Sequence, residues 1–249
     1  MPIDIATVVL LIALGMAAGA LGTFLGIGGG SIVSPMLIAL GIEPHIAVSS
    51  SLTTVIGTSL GGLAKLYRAG LVRARLALLL EVATTIGAAT GSTIAVRLSG
   101  KIVVAIVAIA LAIAGTIALL QPWIKPRGGI PTALAISFFA GILSATTGIG
   151  GGVIKMPTMI AVLGLDIRSA LATSKMMVGI TASIGLCSYI INDLFDPCIA
   201  LPLALGAYLG ASLSARVVVK ARRKILRVVA GTLYYLLTAI TVAKLLTLR

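Results

Sequence analysis

Two glycine clusters are the residues in this sequence best suited to binding a charged solute. Residues 19–35 read GALGTFLGIGGGSIVSP, and residues 141–157 read GILSATTGIGGGVIKMP. Glycine tolerates a positive φ angle and lets a ligand approach the backbone closely. A helix that begins just after such a turn presents unpaired N–H groups with about half a positive charge, which suits an anion. The alternative is that these glycines only permit tight helix packing. The predicted anion site consists of Gly28, Gly29, Gly30, Ser31, Gly150, Gly151 and Gly152.

Two lysines lie within apolar stretches and would add full positive charge to this site. Lys155 follows Gly150 by five residues, and Lys175 lies in the run TSKMMV. A charge inside a membrane span is costly and by default indicates function, so we expect both lysines to bind the substrate. For Lys175 the alternative is that its long side chain reaches back to the cytoplasmic interface near Arg168.

Hydroxyl side chains recur on one helix face in each half of the chain. They are Ser50, Thr54 and Thr58 in the first half, and Thr173 and Thr181 in the second. Such a stripe can line a polar pathway, so Ser50, Thr54 and Thr173 join the predicted substrate site. The alternative is that the hydroxyls bond to their own helix or to a neighbouring helix.

Four further side chains have simpler expected roles. Glu81 lies six residues after Arg75, so pairing with nearby arginines at the interface is favoured over a proton carrier. His45 follows a proline at a helix start, which favours a cap or interface role over proton sensing. Cys187 and Cys198 lie in apolar segments and are expected to be buried thiols rather than a disulfide.

The composition excludes a water-soluble protein. Of the 249 residues, 59% are apolar and 10% are charged, whereas soluble domains have about 45–50% and about 25%. The net charge is +13, but the basic residues lie in short loops between apolar runs. That placement indicates membrane orientation rather than nucleic-acid binding. The sequence contains neither a P-loop nor a His/Cys cluster, so we expect no cofactor, no bound metal and no enzymatic activity.

Eight apolar runs are long enough to cross a membrane, and two are about half that length. The long runs are 3–25, 46–64, 76–96, 102–121, 131–148, 169–191, 197–215 and 228–246, and the short ones are 30–41 and 152–164. Lys and Arg concentrate around 65–75, 125–127 and 216–227, which we place in the cytoplasm. The acidic connection 192–197 is placed outside, together with both termini.

The two halves of the chain are related to each other. Near the end of each half a further glycine pair recurs: Gly87 and Gly91, and Gly206 and Gly210. The run 46–64 must end inside the cell, because it leads into the basic loop around 65–75. Its counterpart in the second half, the run 169–191, precedes the acidic connection 192–197 and must end outside. We therefore predict an all-α polytopic membrane protein with two inverted-topology repeats, residues 1–124 and 125–249, of about five helical segments each. Inverted repeats with interrupted helices are typical of secondary transporters.

With its doubled GIGGG motif, the sequence resembles the TauE/SafE-type sulfite exporter family, also called the toluene-sulfonate uptake permease family. The resemblance covers nearly the whole chain, and its most specific parts are residues 19–59 and 141–181. It implies a polytopic carrier of sulfite, sulfonates or related small organic anions. It also implies functional roles for the two glycine turns and for the prolines that follow them, Pro35 and Pro157.

Together these observations predict a secondary transporter of small anions in the cell (inner) membrane. Sulfite and organosulfonates are the favoured substrates, and alternating access between the repeats is the expected mechanism. An anion channel and a non-catalytic membrane subunit are the alternatives. The expected partners are a small anion, the lipid bilayer and a coupling ion (proton or sodium), with a homodimer as an option and no nucleic acid.

Overall fold

The structure is a computed structural model that describes residues 4–25, 28–120, 128–218 and 223–247. These residues form ten helices and no β-strand. In chain order the helices are α1 (Ile5–Leu25), α2 (Gly30–Ala39), α3 (Pro44–Arg68), α4 (Ala74–Ala95), α5 (Gly100–Leu120), α6 (Ile130–Thr147), α7 (Gly152–Ala161), α8 (Ile167–Ile191), α9 (Pro197–Val218) and α10 (Arg223–Thr247). Outside the described residues lie the predicted boundary at 124 and 125, Gly26, and the basic residues Lys125, Arg127, Lys220, Arg222 and Arg249.

The prediction of an all-α polytopic membrane protein is confirmed. By length and composition, six helices in the described residues can cross a membrane, namely α1, α3, α4, α6, α8 and α9. Helices α2 and α7 have 10 residues each, which is half of what a bilayer requires. Helices α5 and α10 occupy the two remaining runs in which the sequence predicts spans.

The two halves repeat the same local structures around their short helices. Each short helix contains a proline. A left-handed glycine follows each of them, Gly41 with a φ angle of 88° and Gly164 with a φ angle of 69°. An acidic side chain then accepts backbone N–H groups at the start of the next long helix, Glu43 for α3 and Asp166 for α8. The inverted orientation of the two halves in the membrane stays a prediction.

Long helices of one half pack against long helices of the other half through glycine. Helix α1 packs on α9, and α4 packs on α6. A Cβ atom added to Gly91 of α4 would lie 2.5 Å from the carbonyl oxygen of Ile142 in α6. The same kind of contact joins α1 and α9 at Gly15, Gly19, Gly206 and Gly210. Small residues let membrane helices approach backbone to backbone, which explains the paired glycines in the sequence.

The outward face of the helices is apolar. Leu10 of α1 is 63% exposed and Phe139 of α6 is 66% exposed. Cys187 and Cys198 are also exposed, and both are free. The expectation of buried thiols is therefore wrong, because an apolar stretch in a membrane protein faces lipid as readily as it faces other helices.

His45 joins the start of α3 to the end of α4. Its Nδ1 lies 2.6 Å from Glu43 Oε1. Its Nε2 lies 3.2 Å from the Ala95 carbonyl oxygen and 3.1 Å from that of Leu98. Both ring nitrogens are thus engaged within the protein.

Candidate functional site

Both glycine turns contain left-handed backbone. In the first turn Gly28 has a φ angle of 81°, and α2 begins at Gly30. In the second turn Gly148, Gly150 and Gly151 have φ angles of 72°, 85° and 65°, and α7 begins with the next residue. A side chain at any of these positions would be strained, so the turns require glycine for backbone reasons alone.

The two turns touch each other beside α3. The hydroxyl of Ser51 lies 2.8 Å from the carbonyl oxygen of Gly30 and 2.8 Å from that of Gly148. A Cβ atom added to Gly30 would overlap the carbonyl oxygen of Gly148 and lie 2.5 Å from Cγ2 of Val55. The start of α2 and the end of α6 are therefore in direct contact at the junction of the two halves.

A serine hydroxyl lies next to each turn. Ser31 donates to the carbonyl oxygen of Gly28 at 3.1 Å and so closes the first turn. At the second turn the hydroxyl of Ser144 is buried and has no hydrogen-bond partner among the described residues. Ser144, Thr147 and Gly151 line a cavity of about 10 Å³, which has room for about one water molecule. The second turn therefore has unused hydrogen-bonding capacity beside the start of α7.

Lys175 lies inside the helical bundle and does not reach the interface. The residue is 3% exposed. Its Nζ donates to Thr23 Oγ1 of α1 at 2.9 Å and lies 3.4 Å from the carbonyl oxygen of Thr58 in α3. Thr58 also borders the first glycine turn, because its Cγ2 would lie 3.0 Å from a Cβ atom added to Gly29. Across the described ranges no carboxylate forms an ion pair with Lys175, so the partners of this side chain are neutral groups.

Lys155 has a different environment from Lys175. Its Nζ lies 3.2 Å from Glu81 Oε2 of α4, and the two side chains are 0% and 4% exposed. The hydroxyl of Thr181 in α8 bonds to both Lys155 Nζ and Glu81 Oε1. The three residues form a closed polar cluster between α4, α7 and α8.

The expectation that Glu81 pairs with arginines at the interface is wrong. Arg75, six residues earlier on the same helix, is exposed. Two side chains that are six residues apart on an α-helix, such as Arg75 and Glu81, point about 120° apart around the helix axis. The face of α4 that carries Glu81 therefore points toward α8, and Arg75 points away from it.

Most hydroxyls of the predicted stripe form hydrogen bonds within their own helix or to a neighbouring segment of the chain. Thr54 donates to the carbonyl oxygen of Ser50 at 2.9 Å, and Thr58 donates to that of Val55 at 2.8 Å. Thr173 accepts the backbone N–H of Arg73 at 3.0 Å. These bonds match the alternative of back-bonding and helix–helix hydrogen bonding. The hydroxyl of Ser50 itself is buried without a partner among the described residues.

Sequence reasoning missed several residues of this polar interior. Thr23 and Ser144 lie within the glycine motifs, but no spacing singled them out. Across the part of the chain that the structure describes, four buried serine hydroxyls have no hydrogen-bond partner: Ser34, Ser50, Ser144 and Ser174. Because buried polar groups are nearly always hydrogen-bonded, the interior has spare capacity for a polar ligand. The same residues contain no group of three or more His, Cys, Asp or Glu side chains able to hold a metal ion.

Comparison with known proteins decides the family. The family described as "Sulfite exporter TauE/SafE" matches residues 11–241. The chain belongs to this family. The TauE/SafE chain is similar to the "Probable membrane transporter protein YunE" of Bacillus subtilis (strain 168), with 25% identity over 242 residues, 84% of this chain and 88% of the relative. It is also similar to a "Probable membrane transporter protein" of Xylella fastidiosa (strain 9a5c), with 28% identity over 210 residues, 80% of this chain and 78% of the relative. No solved structure matches the TauE/SafE chain.

Membership in TauE/SafE confirms the resemblance inferred from the two glycine motifs. Together with the six helices able to cross a membrane, it makes the chain a multi-pass membrane protein of a transporter family. The names of the TauE/SafE relatives likewise point to a transporter rather than an enzyme.

Proposed function

We propose that this protein is a secondary carrier of small anions, with sulfite and organosulfonates as the expected substrates. The observation that carries the proposal is Lys175, whose hydrogen-bond partners among the described residues are the neutral groups Thr23 Oγ1 and Thr58 O. An unpaired charge inside a membrane span is costly and marks a substrate pathway where it is retained. An anion bound at Lys175 would supply the counter-charge.

The glycine turns support an anion site in the same region. The first turn, Gly28 to Gly30, borders Lys175 through Thr58. The N–H groups at the starts of α2 and α7 add partial positive charge without any charged side chain. At the second turn, the unused hydroxyl of Ser144 can donate to the oxygens of a sulfite or sulfonate group, and the buried hydroxyl of Ser50 in α3 is likewise unused.

Three of the predicted site residues have smaller parts in this proposal. Thr54 and Thr173 already use their hydroxyls in protein hydrogen bonds. Lys155 is neutralised by Glu81, so it does not present a permanent charge to the substrate. The turn at Gly150 to Gly152 and the hydroxyl of Ser31 remain at the border of the site, as helix starts that face the bundle interior.

The proposed transport cycle uses alternating access in the inner membrane. The two halves rock about the anion, with the basic loops in the cytoplasm and both termini outside. At an inside-negative potential, expulsion of a monovalent anion is favoured by about 2.3 kcal/mol per 100 mV, so export needs no coupling and uptake needs a coupled cation.

The test is flux of sulfite, sulfate and methanesulfonate into liposomes that contain the purified protein. We expect the flux to saturate with anion concentration and to be accelerated by anion on the opposite side of the membrane. Lys175→Met keeps the length of the side chain but removes its charge, and we expect at least about a tenfold rise in KM, equivalent to about 1.4 kcal/mol of binding. Lys101→Met is the matched control, because Lys101 is exposed at the start of α5.

Each other outcome corrects a definite part of the proposal. Flux that does not saturate and shows no counterflow identifies a channel. Absence of binding and flux for all three anions removes the substrate assignment and favours a membrane subunit. Equal saturation curves for the wild type and Lys175→Met remove Lys175 from the site.

A further inference from the structure

The buried cluster of Glu81, Lys155 and Thr181 is the strongest feature that the proposed substrate site leaves unused. Glu81 belongs to α4 in the first half of the chain, whereas Lys155 and Thr181 belong to α7 and α8 in the second half. The cluster therefore joins the two halves. Lys155 also lies one helical turn after the second glycine turn, because its backbone N–H donates to the Gly151 carbonyl oxygen at 2.9 Å.

Charge balance links this cluster to anion binding. In the ion pair, the carboxylate of Glu81 neutralises the ammonium of Lys155. One proton added to Glu81 removes the carboxylate charge and leaves the ammonium of Lys155 uncompensated. A bound anion then supplies to Lys155 the negative charge that Glu81 no longer carries. By thermodynamic linkage, the proton favours binding of the anion and the anion favours binding of the proton to the same extent.

We propose that Glu81 is the proton-binding residue of this carrier and that its protonation frees Lys155 to bind the transported anion. The proton and the anion then move in the same direction. This inference rests on the proposed anion transport and adds its coupling ion. The single covalent change is an O–H bond formed at the Glu81 carboxylate, while the ion pair with Lys155 breaks.

Thr181 provides a place for the added proton. Its hydroxyl has two acceptors within hydrogen-bond distance, Glu81 Oε1 and the Met177 carbonyl oxygen, the latter at 3.1 Å. A hydroxyl has one proton and can also accept. When Glu81 is protonated, Thr181 turns its own proton to Met177 and accepts the O–H of Glu81. The protonated carboxyl is therefore hydrogen-bonded even after Lys155 has left.

Within the described residues, no other titratable side chain bonds to the pair. Helix α4 packs on α6 and α8, and α7 packs on α5, α6 and α8. The remaining charged or titratable side chains of these helices are Arg75, Lys101, Arg168, Lys175, Cys187 and Tyr189. The two arginines and Lys101 are exposed, as is Cys187, while Lys175 bonds to Thr23 and Tyr189 bonds to the Ala145 carbonyl oxygen. A proton at Glu81 therefore acts mainly on Lys155.

The test measures proton uptake during anion binding to the purified full-length protein in weakly buffered detergent solution. The probes are sulfate and methanesulfonate, which do not take up protons themselves near neutral pH. We expect the wild type to take up about one proton per bound anion and to bind more tightly as the pH falls. Glu81→Gln imitates the protonated carboxyl, so we expect no proton uptake and an affinity independent of pH. Glu43→Gln is the matched control at a half-exposed carboxylate and should behave as the wild type.

The outcomes separate this inference from the proposed function. Anion binding by the wild type with no proton uptake, or with an affinity that does not change with pH, overturns the inference and leaves the anion carrier in place. Undiminished proton uptake by Glu81→Gln overturns it as well. If that variant does not fold, the pH dependence of the wild type decides. Absence of any anion binding or flux overturns the proposed function and the inference together.

Discussion

The ion pair between Glu81 and Lys155 should show strong energetic coupling when the protein unfolds. At 3.2 Å and an effective dielectric constant of about 20, the attraction between the two charges is about 5 kcal/mol. Loss of one partner of a buried pair costs about 3–5 kcal/mol because the other charge is left uncompensated, whereas neutral replacement of both is often tolerated. We expect Glu81→Gln and Lys155→Met each to lower the free energy of unfolding by about 3–5 kcal/mol. The double variant should cost less than either single variant.

A double-mutant cycle provides the measurement. If the double variant costs less than a single one, the coupling energy is at least the cost of one single substitution, about 3 kcal/mol. The assay is reversible unfolding in mixed micelles at near-neutral pH, followed by circular dichroism. Glu43→Gln, which removes a half-exposed helix cap, is the control and should cost about 1 kcal/mol or less. If the two single costs add to within about 0.5 kcal/mol, the pair is not an energetic unit and the reasoning fails.

Two further predictions concern the second glycine turn and the orientation of the chain. Gly151→Ala should lower the free energy of unfolding by about 1–2 kcal/mol, because residue 151 has a left-handed backbone. It should also abolish transport, because the added Cβ would lie 3.1 Å from Cβ of Ser144. Gly70→Ala carries the same strain at a φ angle of 68° with nothing within 4 Å, so it should lose stability but transport normally. A membrane-impermeant maleimide should label Cys198, at the start of α9, from outside intact cells, and Cys198→Ser should lose this labelling.

Results of the opposite kind would be equally informative. Normal flux in Gly151→Ala would assign the second turn to helix packing alone. Labelling of Cys198 only after the membrane is opened would place the acidic connection in the cytoplasm and reverse the predicted orientation.

The helices were predictable from sequence because their signals are local. The run 197–215 corresponds to α9 (Pro197–Val218), and the short run 152–164 corresponds to α7 (Gly152–Ala161). Length and apolar content define a span without knowledge of its neighbours. The glycine clusters likewise marked the starts of both short helices, because a left-handed turn leaves few alternatives to glycine.

The pairing of side chains was not predictable in the same way. Lys155 and Lys175 look alike in sequence, since each is a lone lysine in an apolar stretch. Their difference comes from Glu81, which reaches Lys155 from a helix in the other half of the chain. Sequence neighbours suggested Arg75 as the partner of Glu81, but helix periodicity and packing place the two on different faces. Such long-range contacts depend on how helices pack, which one sequence does not reveal.

The glycine contacts between α1 and α9, and between α4 and α6, affect how the two halves can move. Each contact joins a helix of one half to a helix of the other, with backbone resting on backbone at positions such as Gly91 and Gly210. In these contacts no side chains interlock between the two helices. The helices can therefore slide past each other by a small distance without a change of side-chain rotamer. Leucine at Gly210 would overlap backbone of α1, because even its Cβ atom would lie 2.0 Å from the Met16 carbonyl oxygen, and it should force α1 and α9 apart.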